Sequence, residues 1–308
     1  MTGVQTCALP ISQGADFIFN LQAARTAQQS VVWEQLDIRP FVFSVESFDP
    51  ATSNRTLRLT APPGHLELDY RCTVDLRHHI ELPHEVAEVP IAQLPPAVLP
   101  YLYPSRYCQS DLLLQFAQQE FGQRWQGYSR VQAIRDWVLQ HTAFSPNTSN
   151  SNTSALDTLQ SHVGVCRDFA HLMIALCRAA NVPARFTTGI DYGADPALGP
   201  TDFHAYVEAY VGDRWYLFDP SGTAIPMGLV RFATGRDAAD VAFATIFGSV
   251  QSSTPVISIE AIPGADGLLR VPHHIGQRAQ GGDRGRHQRG LRILRQGQLG
   301  NLAVPDQI

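Results

Sequence analysis

The sequence of 308 residues contains no lysine, so arginine supplies all 23 basic side chains. This bias is typical of a genome rich in G and C and does not by itself indicate a function. The five cysteines are an odd number at irregular spacings, and no two of them form a CxxC pair. The sequence therefore predicts free thiols rather than a disulfide framework or a zinc site.

Long apolar runs and phosphate-binding motifs are also missing. No uninterrupted apolar stretch approaches the roughly 18 residues of a membrane span, and neither GxxxxGK[ST] nor a strand-flanked GxGxxG is present. The chain is 44% hydrophobic and carries a net charge of −5, which predicts a globular protein that binds neither membranes nor nucleic acids in general. We expect its partner to be a small molecule or a protein, and its location to be cytoplasmic.

The two ends of the chain differ in composition from the rest. Residues 2–11, TGVQTCALPI, match the translation of a sequencing-adapter oligonucleotide, so residues 1–12 are predicted to be an artefact. Residues 266–308 are predicted to be a disordered or frameshifted tail, because seven arginines face only two aspartates from residue 270 onwards. That stretch has no aromatic residue to stack on bases, which disfavours an RNA-binding tail.

The chain between these ends divides into two domains with different patterns. Residues 13–95 contain β-rich runs such as FIFNL, TLRLTAP and LELDYRCTVDL joined by proline and glycine, which predicts an antiparallel β domain. Clustered prolines in PIAQLPPAVLPYLYPS predict a linker, assigned to residues 96–110. Residues 111–265 show helical periodicity followed by strand-like segments, so the predicted fold class is α+β. Within them, the polar stretch SPNTSNSNTS is predicted to be a surface loop.

One cysteine stands at the start of a predicted helix. In GVCRDFAH, the periodicity of apolar residues predicts a helix from about Val165 to Ala180, which puts Cys166 in its first turn. Free amides and a partial positive charge at a helix N-terminus favour a thiolate over a thiol. Cys166 is therefore a candidate nucleophile, and acyl transfer would also require a base and a group that orients the base.

A predicted hairpin supplies both groups. In DFHAYVEAYVGDRWYLFDP, a two-residue turn at Gly212-Asp213 would pair Val211 with Arg214. In that register His204 becomes a diagonal neighbour of Asp219 on the same face, at about 7 to 8 Å between their backbone positions. A three-residue turn would send the two side chains to opposite faces, so the prediction depends on the hairpin register.

Three segments together resemble a known family. GVCRDFAHLMIALCRAANVPAR, DFHAYVEAYVGDRWYLFDP and GRDAADVAFATIFG are similar to the bacterial transglutaminase-like cysteine enzymes, and the likeness covers roughly residues 15–250. The resemblance implies a papain-like core, with the cysteine at a helix N-terminus packed on an antiparallel sheet, preceded by an N-terminal β domain. It implies a triad of Cys166, His204 and Asp219, which would act without a cofactor on peptide or protein amides.

The resemblance leaves three functions open. Cysteine-dependent acyl transfer through a thioester is the leading hypothesis, and a cysteine protease or peptide amidase with the same triad is the alternative. A catalytically silent protein-binding module is the second alternative. Because the chain has no lysine, it could not crosslink to copies of itself through lysine.

Other reactive residues are predicted to have structural roles. Cys72 and Cys177 are expected to be core thiols, Cys108 to pack at the linker, His171 to have a solvent or capping role, and Tyr206 to pack in the hairpin or line the cleft. The stretch HHIELPHE is a weak metal candidate because Pro83 disfavours a helix and HExxH is missing. Its possible ligands are His78, His79, Glu81, His84 and Glu85.

Overall fold

The computed structural model of the chain describes residues 2–193, 202–264, 266–273 and 291–293. Within them the α-helices are α1 (Leu114–Phe121), α2 (Tyr128–His141), α3 (Ala155–Ser161) and α4 (Cys166–Ala179). The strands are β1 (Thr2–Ile11), β2 (Ala15–Phe19), β3 (Gln29–Arg39), β4 (Ser44–Phe48), β5 (Arg55–Ala61), β6 (Gly64–Leu76), β7 (Ala143–Phe144), β8 (Val163–Gly164), β9 (Ala184–Asp191), β10 (His204–Val211), β11 (Arg214–Phe218), β12 (Leu229–Gly235), β13 (Ala244–Phe247), β14 (Gln251–Ser252), β15 (Val256–Ile259), β16 (Ala261–Ile262) and β17 (Leu291–Ile293).

The first part of the chain supplies β1 to β6 to two antiparallel sheets, one around β1 and β6 and the other with the strand order β13-β2-β5-β4, and strands β13 to β17 from residues 244–293 complete them. In β5, Leu57, Leu59 and Ala61 are buried while the residues between them are more exposed, which is the alternation of a sheet with one face in a core. β1 covers the residues predicted to be foreign, and its backbone pairs with β6. Their origin stays a prediction. Residues 274–290 and 294–308 of the predicted tail lie outside the described residues.

The second part is built on an antiparallel sheet with the strand order β11-β10-β9-β12. Helix α4 packs on one face of this sheet, and it is buried over nearly its whole surface because α1, α2 and α3 also contact it. The helix ends where Asn181 adopts a positive φ of 62°. The observed helix matches the one predicted from the sequence, and the mixture of helices and antiparallel strands confirms the predicted α+β class.

The proline-rich segment between the two parts packs closely on the protein. Leu94 and Val98 contact Tyr210 and the ring of Trp215 on the sheet. The buried Arg178 of α4 donates hydrogen bonds to the Tyr103 carbonyl at 3.0 Å and to other acceptors on neighbouring segments. The segment is therefore anchored to both the sheet and α4.

Two amide side chains join the β domain to strand β12, which is the edge of the second sheet. Gln29 donates to the Arg231 carbonyl at 2.9 Å and accepts from the Arg231 amide at 2.8 Å. Asn54 makes the same pair of bonds with Thr234, both at 2.8 Å. These bonds satisfy backbone groups that an edge strand would otherwise leave without partners. They also fix β12, and through it β9 and β10, against the first domain.

Candidate active site

Cys166 occupies the first turn of α4. Val165, just before it, has an extended backbone, and its carbonyl accepts the Asp168 amide at 2.9 Å. The Asp168 carboxylate in turn accepts the Val165 amide at 2.9 Å, which closes the turn from the other side. Cys166 is partly exposed, whereas Asp168 is fully buried. The thiol is thus presented at a helix N-terminus whose amides point toward it.

A glycine is required at position 164 because the backbone of β8 lies very close to Asp168 of α4. A Cβ atom there would lie 2.7 Å from the Asp168 Cβ atom, which is too short for two carbons. Any larger residue would push the first turn of α4 away from the strand β8 that precedes it. The glycine that introduces the cysteine in the sequence motif therefore sets the position of the thiol.

The hairpin of β10 and β11 adopts the predicted register. Val211 pairs with Arg214, and the ladder continues to Val207 opposite Phe218. Gly212 and Asp213 have φ angles of 57° and 63°, as a type I′ turn requires. This two-residue turn brings His204 and Asp219 to the same face, and the His204 Nε2 atom lies 3.3 Å from Asp219 Oδ1.

Three hydrogen-bond donors besides His204 surround the carboxylate of Asp219. Its Oδ1 accepts hydrogen bonds from the Ser221 amide at 2.9 Å and the Ser221 hydroxyl at 2.6 Å, while its Oδ2 accepts from the Ala224 amide at 2.9 Å. Burial raises the pKa of the Asp219 carboxyl, but the hydrogen bonds from His204, Ser221 and Ala224 outweigh burial and leave the pKa below its usual value. The group is therefore a fixed carboxylate aimed at the imidazole.

His204 lies between this carboxylate and the thiol. Its side chain is 10% exposed, and burial alone would lower its pKa. Hydrogen bonding to Asp219 and interaction with Cys166 reverse that effect and raise the pKa of the imidazole well above its ordinary value. Because Nε2 faces Asp219, Nδ1 is the ring nitrogen left for the thiol. The structure thus brings together all three residues predicted from the sequence.

Three other cysteines have no comparable surroundings. Cys72, Cys108 and Cys177 are all buried, as the sequence predicts for packing thiols. Burial raises the pKa of Cys108 to about 12 and also raises the pKa of Cys177. Neither thiol is expected to ionise near neutral pH, so they serve as internal references for Cys166.

The predicted solvent or capping role of His171 is wrong. The side chain is fully buried, stacks on Tyr107 with ring centroids 4.9 Å apart, and accepts a hydrogen bond from the Ala238 amide at 3.2 Å. Burial, together with the charges of Arg167 and Arg178, lowers its pKa well below the ordinary value. The prediction assumed that α4 has a solvent face, but neighbouring elements cover the helix on all sides. Tyr206 is likewise fully buried and does not line an open cleft.

The polar loop before α3 takes part in the architecture of the site, which the sequence did not indicate. Ser149 donates to Asp168 at 2.8 Å, and Arg167 donates to the Asn150 carbonyl at 2.5 Å. The loop is thereby tied to the first turn of α4. Helix α3 was also missed, although Ser154 and Asp157 form a capping box that is readable as S-x-x-D.

The HHIELPHE stretch is engaged in other contacts. His78 bonds to the Met227 carbonyl at 2.8 Å, and His79 bonds to Glu81 at 2.6 Å. Among the described residues, no three His, Cys, Asp or Glu side chains are grouped so that they could hold a metal ion. The described residues also form no helix that is long and apolar enough to cross a membrane.

Comparison with known proteins identifies two families. Residues 115–220 match the transglutaminase-like superfamily, and residues 7–97 match the N-terminal domain of bacterial transglutaminase. The first match contains Cys166, His204 and Asp219, and the second corresponds to the β domain.

A solved structure and a curated protein resemble the chain. A protein from Cytophaga hutchinsonii that carries the provisional name cysteine protease is 35% identical, with a TM-score of 0.76 over 96% of this chain and 98% of that one. The uncharacterised protein ML0607 of Mycobacterium leprae (strain TN) is 32% identical over 117 residues. That match spans 36% of this chain and 42% of the relative.

Proposed function

The chain belongs to the transglutaminase-like superfamily, and from that premise we propose that it catalyses cysteine-dependent acyl transfer on peptide or protein amides. Cys166 is the nucleophile, His204 the proton shuttle and Asp219 the group that orients the imidazole. The observation that carries the proposal is the 3.3 Å contact of His204 Nε2 with Asp219 Oδ1, with Cys166 near enough to the same imidazole to raise its pKa.

The reaction begins with transfer of the thiol proton from Cys166 to Nδ1 of His204. The thiolate sulfur attacks the substrate carbonyl carbon, and the Cys166 amide at the helix N-terminus donates a hydrogen bond to the oxyanion that forms. As the tetrahedral intermediate collapses, His204 returns its proton to the departing amine and a thioester remains. Asp219 keeps the Nε2 proton of the ring in place throughout and stabilises the imidazolium.

The acceptor decides the outcome of the second half-reaction. His204 removes a proton from an incoming amine or water molecule, which attacks the thioester and releases the acyl group together with the restored thiol. An amine gives a new amide, and water gives the acid. Hydrolysis is the second candidate function, favoured by the provisional name of the Cytophaga hutchinsonii relative.

Product partition, the ratio of amide to acid formed from the thioester, distinguishes transfer from hydrolysis. A glutamine-containing peptide is incubated with the enzyme and increasing concentrations of a primary amine, and the amide and acid products are separated by mass spectrometry. Transfer predicts an amide adduct whose share rises with amine concentration, whereas an acid product at every concentration would exclude transfer and leave hydrolysis. The chain itself contains no lysine, so self-modification through lysine cannot obscure the adduct.

A catalytically silent binding module remains the third candidate. Alkylation by iodoacetamide at about pH 6, followed by peptide mapping, tests it without a substrate. An ordinary accessible thiol, with a pKa of about 8.5, is almost fully protonated there, so faster labelling of Cys166 than of glutathione under the same conditions supports a Cys166 thiolate. Labelling of Cys166 no faster than that of glutathione would favour the binding module.

A further inference from the structure

Tyr206 is the next residue after His204 on the same face of β10, since alternate residues of a strand point to one side. It pairs across the sheet with Thr187, just as His204 pairs with Gly189. The tyrosine is among the largest side chains that the fold buries completely. The acyl-transfer scheme gives this residue no task, although it lies directly behind the imidazole.

The Tyr206 ring supports the imidazole from behind. The two ring centroids are 4.5 Å apart and the ring planes are inclined by 69°, which is an edge-to-face contact. On its other sides the tyrosine packs against Ala224, Leu229 and Leu217. Ala224 also donates its amide to Asp219, so one aromatic ring touches both the imidazole and the segment that holds its carboxylate partner.

The hydroxyl of Tyr206 is fully enclosed and interacts with the side chain of Asp191 at the end of β9. Burial raises the pKa of the phenol well above its ordinary value, and the neighbouring acids Asp191, Asp219 and Cys166 raise it further. The phenol is therefore neutral and does not exchange protons with the triad. The part of Tyr206 that contacts His204 is its ring.

We infer that Tyr206 is a positioning residue for the proposed reaction, because its ring fixes the His204 imidazole in the orientation that joins Cys166 to Asp219. Without the ring, the imidazole could rotate about its χ angles and water could enter behind it. Both changes would weaken the coupling of the ring to Cys166 and Asp219. This inference rests on the proposed function, since it assumes that Cys166 and His204 act as a pair.

Tyr210 provides a matched control on the same strand face. It is 7% exposed, and it makes an edge-to-face contact with Trp215 at 5.2 Å and 68°. Its ring is therefore also in edge-to-face contact, although it is less completely buried than that of Tyr206, and it lies two same-face positions further from His204. Replacing either tyrosine by leucine removes a packed aromatic ring from the same sheet. Only the Tyr206 change removes a contact with the imidazole.

The pH dependence of Cys166 alkylation distinguishes a role of Tyr206 in positioning His204 from a role in packing alone. The charged and titratable groups around Cys166 and His204 are contributed by β9, by β10, by the segment after β11 and by the first turn of α4. They are Asp191, Tyr206, Asp219, Arg167 and Asp168. The rate constant for iodoacetamide at Cys166 is measured by peptide mapping from pH 4 to pH 9 in the folded protein.

Tyr206→Leu should raise the wild-type midpoint by about one unit or more, which makes the reaction roughly tenfold slower at a pH well below both midpoints. Tyr206→Phe keeps the ring and should recover most of this shift, and Tyr210→Leu should give the wild-type midpoint.

Equal midpoints in Tyr206→Leu and Tyr210→Leu would overturn the inference, as would a Tyr206→Phe variant shifted as far as the leucine variant. If Tyr206→Leu does not fold, Tyr206→Met is measured instead, because methionine fills irregular space without a ring. A wild-type enzyme that forms neither the amide nor the acid product from the glutamine-containing peptide would contradict the proposed function itself. An active wild-type enzyme whose Tyr206→Leu variant has an unshifted Cys166 alkylation midpoint would contradict only the role of Tyr206.

Discussion

Cys166 and Cys177 lie eleven residues apart on helix α4, yet their surroundings are opposite. Cys166 is partly exposed at the N-terminus, where the helix dipole favours a negative charge, and it interacts with His204. Cys177 is fully buried near the C-terminus, where the dipole disfavours a negative charge and burial raises the thiol pKa. One helix therefore holds a candidate nucleophile and an inert reference thiol.

The difference does not arise from the residue type or from helix propensity. It arises from what each end of α4 meets. The N-terminal end meets the hairpin of β10 and β11, whose turn sets the register of His204 and Asp219. The C-terminal end is enclosed by apolar side chains, so Cys177 behaves as a small hydrophobic group. The contacts of each helix turn thus distinguish the candidate nucleophile from the core thiol, and four substitutions test that comparison.

Replacing Cys166 by alanine is expected to have the largest effect. It removes the atom that forms the thioester, so kcat/KM should fall on the order of 10⁴-fold or more, while the fold is retained. Steady-state kinetics on the peptide amide used for product partition would measure the loss, with Cys177→Ala as the control. Near wild-type turnover by Cys166→Ala would place the nucleophile elsewhere and remove the basis of the comparison.

Replacing Asp219 by asparagine should lower kcat by roughly 10²- to 10⁴-fold, because a neutral amide no longer stabilises the imidazolium and can hold the ring in the wrong tautomer. The shape of the side chain is preserved, so the midpoint of thermal unfolding at neutral pH reports whether the fold survives. A decrease of less than about threefold would argue that Asp219 does not orient His204.

The Asp219→Asn variant should also differ from the wild type in how its stability changes at acidic pH. The pKa of Asp219 is lower in the folded protein than in the unfolded chain, whose value is near 3.9. The carboxylate therefore adds stability above about pH 4, and this contribution is lost as the pH falls through the folded value. Denaturant unfolding at decreasing pH should show a smaller loss of stability in Asp219→Asn than in the wild type. Parallel curves would contradict the lowered pKa.

Replacing Ser221 by alanine removes the 2.6 Å hydrogen bond to Asp219 but leaves the backbone donors of Ser221 and Ala224. A hydrogen bond to a charged group contributes about 1.5 to 3 kcal/mol, and the remaining donors retain part of the orientation, so kcat should fall about tenfold. Ser221→Thr keeps a hydroxyl and should stay near the wild type. Equal rates in the alanine and threonine variants would exclude a role for this hydroxyl.

Much of the candidate site could be predicted because its elements are local. The apolar period of α4 and the Gly212-Asp213 turn are both encoded in short stretches, and the turn alone determines whether His204 and Asp219 share a face. The family resemblance then indicated which cysteine belongs with this hairpin. Core thiols such as Cys177 were predictable from their apolar neighbours.

Features that depend on distant contacts could not be predicted in this way. His171 is buried because Tyr107 stacks on it from another segment, and no period within α4 encodes that contact. Gln29 and Asn54 pair with the edge strand β12 from far away in sequence. Ser149 lies in a stretch too polar to suggest packing, yet it binds the buried Asp168. In each case a polar group finds a partner that only the assembled fold supplies.

Replacing Cys177 by alanine should have the smallest effect on catalysis and a measurable effect on stability. The side chain is fully buried in the core beneath α4, so loss of the sulfur leaves a small cavity and should lower the free energy of unfolding by about 1 to 2 kcal/mol. Because Cys177 interacts with neither His204 nor Asp219, kcat and the alkylation midpoint of Cys166 should remain at wild-type values. Denaturant unfolding and iodoacetamide mapping on the same preparation measure both quantities. A shift in the Cys166 midpoint would mean that packing at one end of α4 controls the thiol at the other, and the two ends could then no longer be treated as independent.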